Sequence, residues 1–180
     1  VGGRSVAGKG TTRRAGASGG RGATDRLAPA RAADATASRT GGQENQRRHR
    51  EAQSSAEAAL AAALDKKALA PVLLDVADLA SYTDFIAIVS GRSDRQVDAI
   101  AEHVAQVMKQ RGARLIGREG AGNGRWLLLD FGDVIVHVFY HPVREVYDIE
   151  GLWIDAPRVA LKDVPPEAMH VQADALYAMP

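Results

Sequence analysis

Large apolar residues are nearly absent from the opening of this chain. Between Val1 and Ala52 only Val1, Val6 and Leu27 qualify, and every Trp, Phe and Tyr lies beyond Leu60. A stretch so poor in apolar surface cannot bury enough of it to offset the entropy of ordering. Residues 1–52 are therefore expected to form a disordered basic tail. The core belongs to an α/β domain over residues 53–155, and residues 156–180, with Pro165-Pro166 and scattered apolar positions, read as a loosely ordered extension. An organelle transit peptide, Arg-rich and poor in acids, is the weaker reading of the tail, because the tail has almost no apolar face.

Charge divides at the same place. Residues 1–52 hold 11 Lys or Arg against 4 Asp or Glu, and residues 53–180 hold 12 against 18. The cationic tail suits weak, salt-sensitive contact with RNA phosphates. The acidic domain is better matched to a basic protein than to nucleic acid. There is no Cys, which excludes disulfides and thiolate metal sites. No apolar run approaches the roughly 20 residues of a membrane helix, and none reads as a secretory signal, so a cytoplasmic location is expected.

Periodicity outlines the domain. Ala52–Ala70 is rich in Ala and places Leu60 and Leu64 on one face, which predicts a helix stopped by Pro71. Val72–Val76 and Phe85–Ser90 read as buried strands. Ser93 and Gln96 form a capping-box pattern, and Val97, Ile100, Ala101, Val104, Val107 and Met108 repeat at helical spacing up to a stop at Gly112. Ala113–Arg118 is expected to be the next strand, closing a βαβ unit. Trp126–Phe131 and Val134–Tyr140 read as a hairpin turned at Gly132-Asp133, and Pro142 opens a short helix through Leu152.

Few residues suggest chemistry. Gly120-Ala-Gly-Asn-Gly lacks the following helix and Lys-Ser/Thr pair of a phosphate cradle, and reads as a loop. Ser90-Gly91-Arg92-Ser93 stands at a helix start, where anions can bind, although a simple cap explains it. Asp130 and Asp133 do not have the spacing of a metal site, and no cofactor is expected. His137 lies in an apolar strand, where a hydrogen-bonded structural role outweighs that of a base. Trp126, at the exit of the loop, suits either the core or a partner anchor. An enzyme using Asp130, Asp133 and His137 and an RNA-binding module acting through the tail are the competing classes.

Three segments carry a resemblance: Ser81–Val104, Trp126–Phe139, and Arg144-Glu-Val-Tyr-Asp-Ile-Glu-Gly-Leu-Trp. Their order and spacing are similar to those of the ribosomal silencing factors, also called Iojap-like proteins. The resemblance implies a mixed five-stranded sheet flanked by helices, related to the nucleotidyltransferase fold. It also implies absence of that fold's activity, since Gly91-Arg92 and Asp130/Asp133 depart from the Gly-Ser and paired-acid signatures. It further implies docking on the large-subunit ribosomal protein numbered fourteen, a block on small-subunit joining, and dimers in the free state. Carried over by position, the partner face is Glu119, Trp126, Asp130 and Phe131. The strand period independently puts Trp126, Leu128 and Asp130 on one face.

Overall fold

The computed structural model describes residues 30–120 and 125–169, with side chains from residue 42. The chain divides into two compact units, and the second begins at Arg39. Of the residues before it, only the start of helix α1 (Ala30–Asp65) is described. This helix crosses the tail boundary expected at residue 52. Two features favour the earlier start. Arg47 pairs with Glu44 and Glu51, each at 2.7 Å, at helical spacing. Ala52, Ala56, Ala59 and Ala63 then line a buried face small enough to bring the helix close to the sheet. His49 already reaches the sheet, with its Nε2 3.0 Å from Asp75 and its ring 4.9 Å from that of Phe85.

The helix ends well before Pro71. Lys67 takes a positive φ of 61°, Lys67 N donates to Leu64 O, and Ala68 N donates to Ala63 O. This paired pattern satisfies the last carbonyls. Pro71 instead lies inside strand β1 (Leu69–Asp75), at the irregularity between Leu69 and Val72. An edge strand with a bulge is where a residue without an N–H is tolerated.

Among the described residues one sheet has five strands in the order β1-β2-β5-β4-β3. Strands β2 (Phe85–Gly91) and β5 (Val134–Tyr140) are central and parallel. Their continuous apolar runs follow from burial on both faces. Helix α2 (Asp94–Gln110) has the expected cap, with Ser93 Oγ accepting from Gln96 N at 3.2 Å. The reciprocal half differs. Gln96 Oε1 accepts from Arg92 N, and its Nε2 donates to the Lys66 and Lys67 carbonyls, joining the start of α2 to the end of α1.

Strand β3 is only Gly117–Glu119, shorter than the expected Ala113–Arg118, and pairs antiparallel with β4 (Trp126–Asp130) at the far edge. It is therefore not β2's neighbour. That place is taken by β5, whose longer apolar strand fills the sheet centre. The β4–β5 hairpin is as expected, with Gly132 at φ 89°.

Helices α1 and α2 cover one sheet face, over Ala87, Val89, Leu127, Leu129, Val136 and Val138. The opposite face carries Leu74, Ile86, Ile88 and Phe139 and is covered in part by the segment after β5. The expected single helix there is two: α3 (His141–Tyr147) and α4 (Ile149–Leu152), separated by Asp148 at φ 42°. The Asp148 carboxylate accepts from Gly151 N and so starts α4. Beyond it, Pro157–Val159 runs along the outer edge of β1: Asp75 N donates to Pro157 O and Val159 N to Leu73 O, both at 2.9 Å. These are the residues expected to be loosely ordered, and they cover backbone that an edge strand otherwise leaves unpaired. Another short helix is α5 (Pro166–Met169). Residues 1–29 and 170–180 of the two extensions lie outside the described residues.

Candidate docking face

Pairing across the sheet assembles the face that helices α1 and α2 leave open. Register places Glu119, Leu128 and His137 in one row, and Gly117, Asp130 and Ile135 in the next. Trp126 and Phe139 form a third. Paired residues share a face, so Glu119, Trp126 and Asp130 come together around Leu128. Phe131 does not join them. One residue on from Asp130, it packs against the core on the α1/α2 side. Alternation along the strand forces this.

Trp126 is partly buried. Its indole lies nearly parallel to the Phe139 ring, 5.6 Å between centroids, and tilted against Tyr147 at 4.9 Å. Its Nε1 donates to His137 Nδ1 at 3.1 Å. One part of the indole packs on the sheet and the rest meets solvent. The residue that introduces it is Gly120, at φ 81°, where a Cβ would collide with the Trp126 carbonyl oxygen. Only glycine permits so close an approach. Residues 121–124 of the glycine-rich segment lie outside the described residues.

His137 is 7% exposed, and burial pushes its pKa down to about 4, against the weaker pull of Glu150's charge. The imidazole is neutral near pH 7, and a neutral ring that accepts at Nδ1 carries its proton on Nε2. Asp130 Oδ1 accepts from Gly132 N at 2.8 Å, so this carboxylate also shapes the hairpin turn. Asp133 is exposed, and its backbone carbonyl accepts from Asp84 and Phe85. Asp130, Asp133 and His137 thus have separate structural duties and do not converge on a reacting atom. Ser90-Gly91-Arg92-Ser93 serves as the α2 cap, while Ser90 Oγ faces inward to Arg144 at 3.1 Å.

Sequence reasoning missed the contribution of α3. Tyr147 closes one side of Trp126, and Val146 beside it is 83% exposed. The signal was an apolar pair in a short helix, which has no periodicity long enough to show which side faces solvent. It also missed Arg144, a buried residue whose guanidinium joins Glu150, Ser90 and the Ala70 carbonyl.

The face thus presents a partly exposed aromatic, Trp126, on a sheet with the Glu119 and Asp130 carboxylates on the same side, and among the described residues no group of His, Cys, Asp and Glu gathers that could hold a metal ion. The chain belongs to the family described as "Ribosomal silencing factor during starvation", whose model matches residues 49–177. It is 42% identical over 100 residues to ribosomal silencing factor RsfS of Halalkalibacterium halodurans, covering 56% of this chain and 86% of that protein. RsfS of Bacillus subtilis is 40% identical over 99 residues, 55% of this chain and 84% of that one. The fold matches a crystal structure of protein CV0518 from Chromobacterium violaceum with a TM-score of 0.56 and 34% identity, covering 66% of this chain and 98% of the other. Membership bears out the resemblance read from the three segments and places the chain among regulators of translation, not enzymes.

Proposed function

We propose that this chain silences translation by docking on the large ribosomal subunit through the ribosomal protein numbered fourteen. Trp126 is the anchor, with Leu128 beside it and Glu119 and Asp130 as the flanking acids. Bound there, the domain occupies the surface that the small subunit must meet, and joining fails by steric exclusion. Occupancy is enough; no nucleotide is consumed.

The observation that carries this reading is the half-packed state of Trp126. Phe139, His137 and Tyr147 neighbour the indole, which stays only partly buried. A large aromatic of fixed orientation beside carboxylates matches a basic protein partner better than a nucleic acid. The same face, continued by exposed Val146 and Tyr147 on α3, is the surface a second copy would cover in the free state. The cationic segment ahead of the domain adds only a salt-sensitive contact with RNA. The reading places the protein in the cytoplasm with its ribosomes.

Cosedimentation of the full chain with isolated large subunits, followed by a subunit-joining assay, tests the reading. Binding should be retained on deleting residues 1–38, and joining should fall without hydrolysis. Loss of binding on that deletion would favour RNA recognition by the tail instead.

A further inference from the structure

We infer that His137 is a positioning residue for docking: its Nδ1 holds the Trp126 indole in the orientation presented to the partner. The inference rests on the docking reading above. His137 sits on β5, opposite Leu128, one row from Trp126. The indole N–H reaches its ring nitrogen at 3.1 Å, and the two rings are within 13° of parallel.

The chemistry makes this bond selective. Trp Nε1 can only donate, so it needs an acceptor wherever water is kept from it. Buried neutral imidazole supplies one, in the tautomer with its proton on Nε2. A protonated ring would present N–H to N–H. Burial disfavours that form and keeps the acceptor in place near neutral pH. Phe139 and Tyr147 restrict the plane of the indole, but a flat contact lets a ring slide or turn over. The hydrogen bond removes that freedom and decides which edge of the indole faces outward. An anchor already held in its bound orientation loses less entropy on docking.

His137→Asn and His137→Phe separate this role from packing. Asn can place Oδ1 near the position of Nδ1 and retains an acceptor. Phe retains a ring and loses it. The Trp126 indole proton, identified by its absence in Trp126→Phe, is followed by NMR in the full chain, and affinity is measured by cosedimentation with isolated large subunits. His137→Phe should shift the indole resonance toward that of a water-exposed indole and weaken binding roughly tenfold, the worth of one lost hydrogen bond with its donor stranded. His137→Asn should stay within about threefold of wild type. In a Trp126→Phe background, exchange of His137 for Phe should change nothing further. His137→Leu replaces the Phe variant if the latter does not fold.

Three outcomes overturn the idea in different ways. A wild-type chain that does not cosediment removes the docking reading and this inference with it. Binding that survives Trp126→Ala removes the anchor. Binding that is lost in Trp126→Ala but unchanged in His137→Phe leaves docking intact and removes the positioning role alone.

Discussion

The guanidinium of Arg144 on α3 and the carboxylate of Glu150 on α4 meet across the Asp148 break, with Nε 2.9 Å from Oε1. The Arg144 side chain is 8% exposed and that of Glu150 is 19% exposed. A second nitrogen, Nη1, donates to Ala70 O on β1 and Ser90 Oγ on β2. One side chain therefore ties the two short helices to two strands. Burial by itself raises the Glu150 pKa. The hydrogen bond and charge of Arg144 outweigh this and hold the carboxyl below its ordinary range.

Removing one partner of this pair should be costly. Arg144→Met leaves a mostly buried carboxylate and a carbonyl without their donor, and should cost about 3 kcal/mol of stability, the lower end for a broken buried pair. Adding Glu150→Gln should recover part of it. Urea unfolding of the single and double variants measures both; a single variant as stable as wild type would show the pair to be dispensable.

Acid should destabilise the fold in two windows. The folded-state pKa of His137 lies below its ordinary value of 6.5, at about 4. Between those values the unfolded chain binds the proton and the folded one does not. Stability is thus fully present above about pH 6.5 and falls as pH drops toward 4, by a loss on the order of 3 kcal/mol. His141, also lowered by burial, acts in the same direction. The depressed Glu150 carboxyl gives stability that is present above its unfolded pKa and lost at lower pH, as that group takes a proton. Unfolding followed from pH 7 to 4 should show a shallower slope for His137→Phe than for wild type; equal slopes would remove His137 as the cause.

Two glycines at similar positive φ should respond differently to Ala. Gly112, at φ 85°, has nothing within 4 Å of an added Cβ, whereas Gly120, at φ 81°, would place one against the Trp126 carbonyl. Gly112→Ala should cost about 1–2 kcal/mol, the left-handed penalty alone. Gly120→Ala must also displace backbone at the start of β4, and should lower the melting temperature further and disturb the environment of Trp126. Thermal unfolding and tryptophan fluorescence compare them directly.

Charge at the docking face is tested by Glu119→Lys. Glu119 is exposed at the end of a three-residue edge strand, so the change should leave the melting temperature within the range of ordinary surface substitutions. Against a basic partner it should slow association and weaken cosedimentation most at low salt. Unaltered binding at every ionic strength would take Glu119 out of the interface.

Local pattern carried much of this fold. The apolar runs of β2 and β5, the Ser93 cap of α2, the stop at Gly112 and the Gly132 turn each depend on residues within a few positions of one another. They were legible because chain sterics, hydrogen-bond capping and the strand or helix period act over that distance. The same period placed Trp126, Leu128 and Asp130 on one face. What remained depended on residues far apart in sequence. Leu69–Asp75 became an edge strand because β2 was available to pair with it, which let Pro71 sit in a bulge instead of ending a helix. The brief β3 went to the far edge because β5 took the centre. Arg144 is buried because Ala70, Ser90 and Glu150 converge on it, and His137 meets its hydrogen-bond partner only because the hairpin brings the Trp126 indole within 3.1 Å. Those placements follow from burial and polar satisfaction across the sheet, which no window of sequence contains.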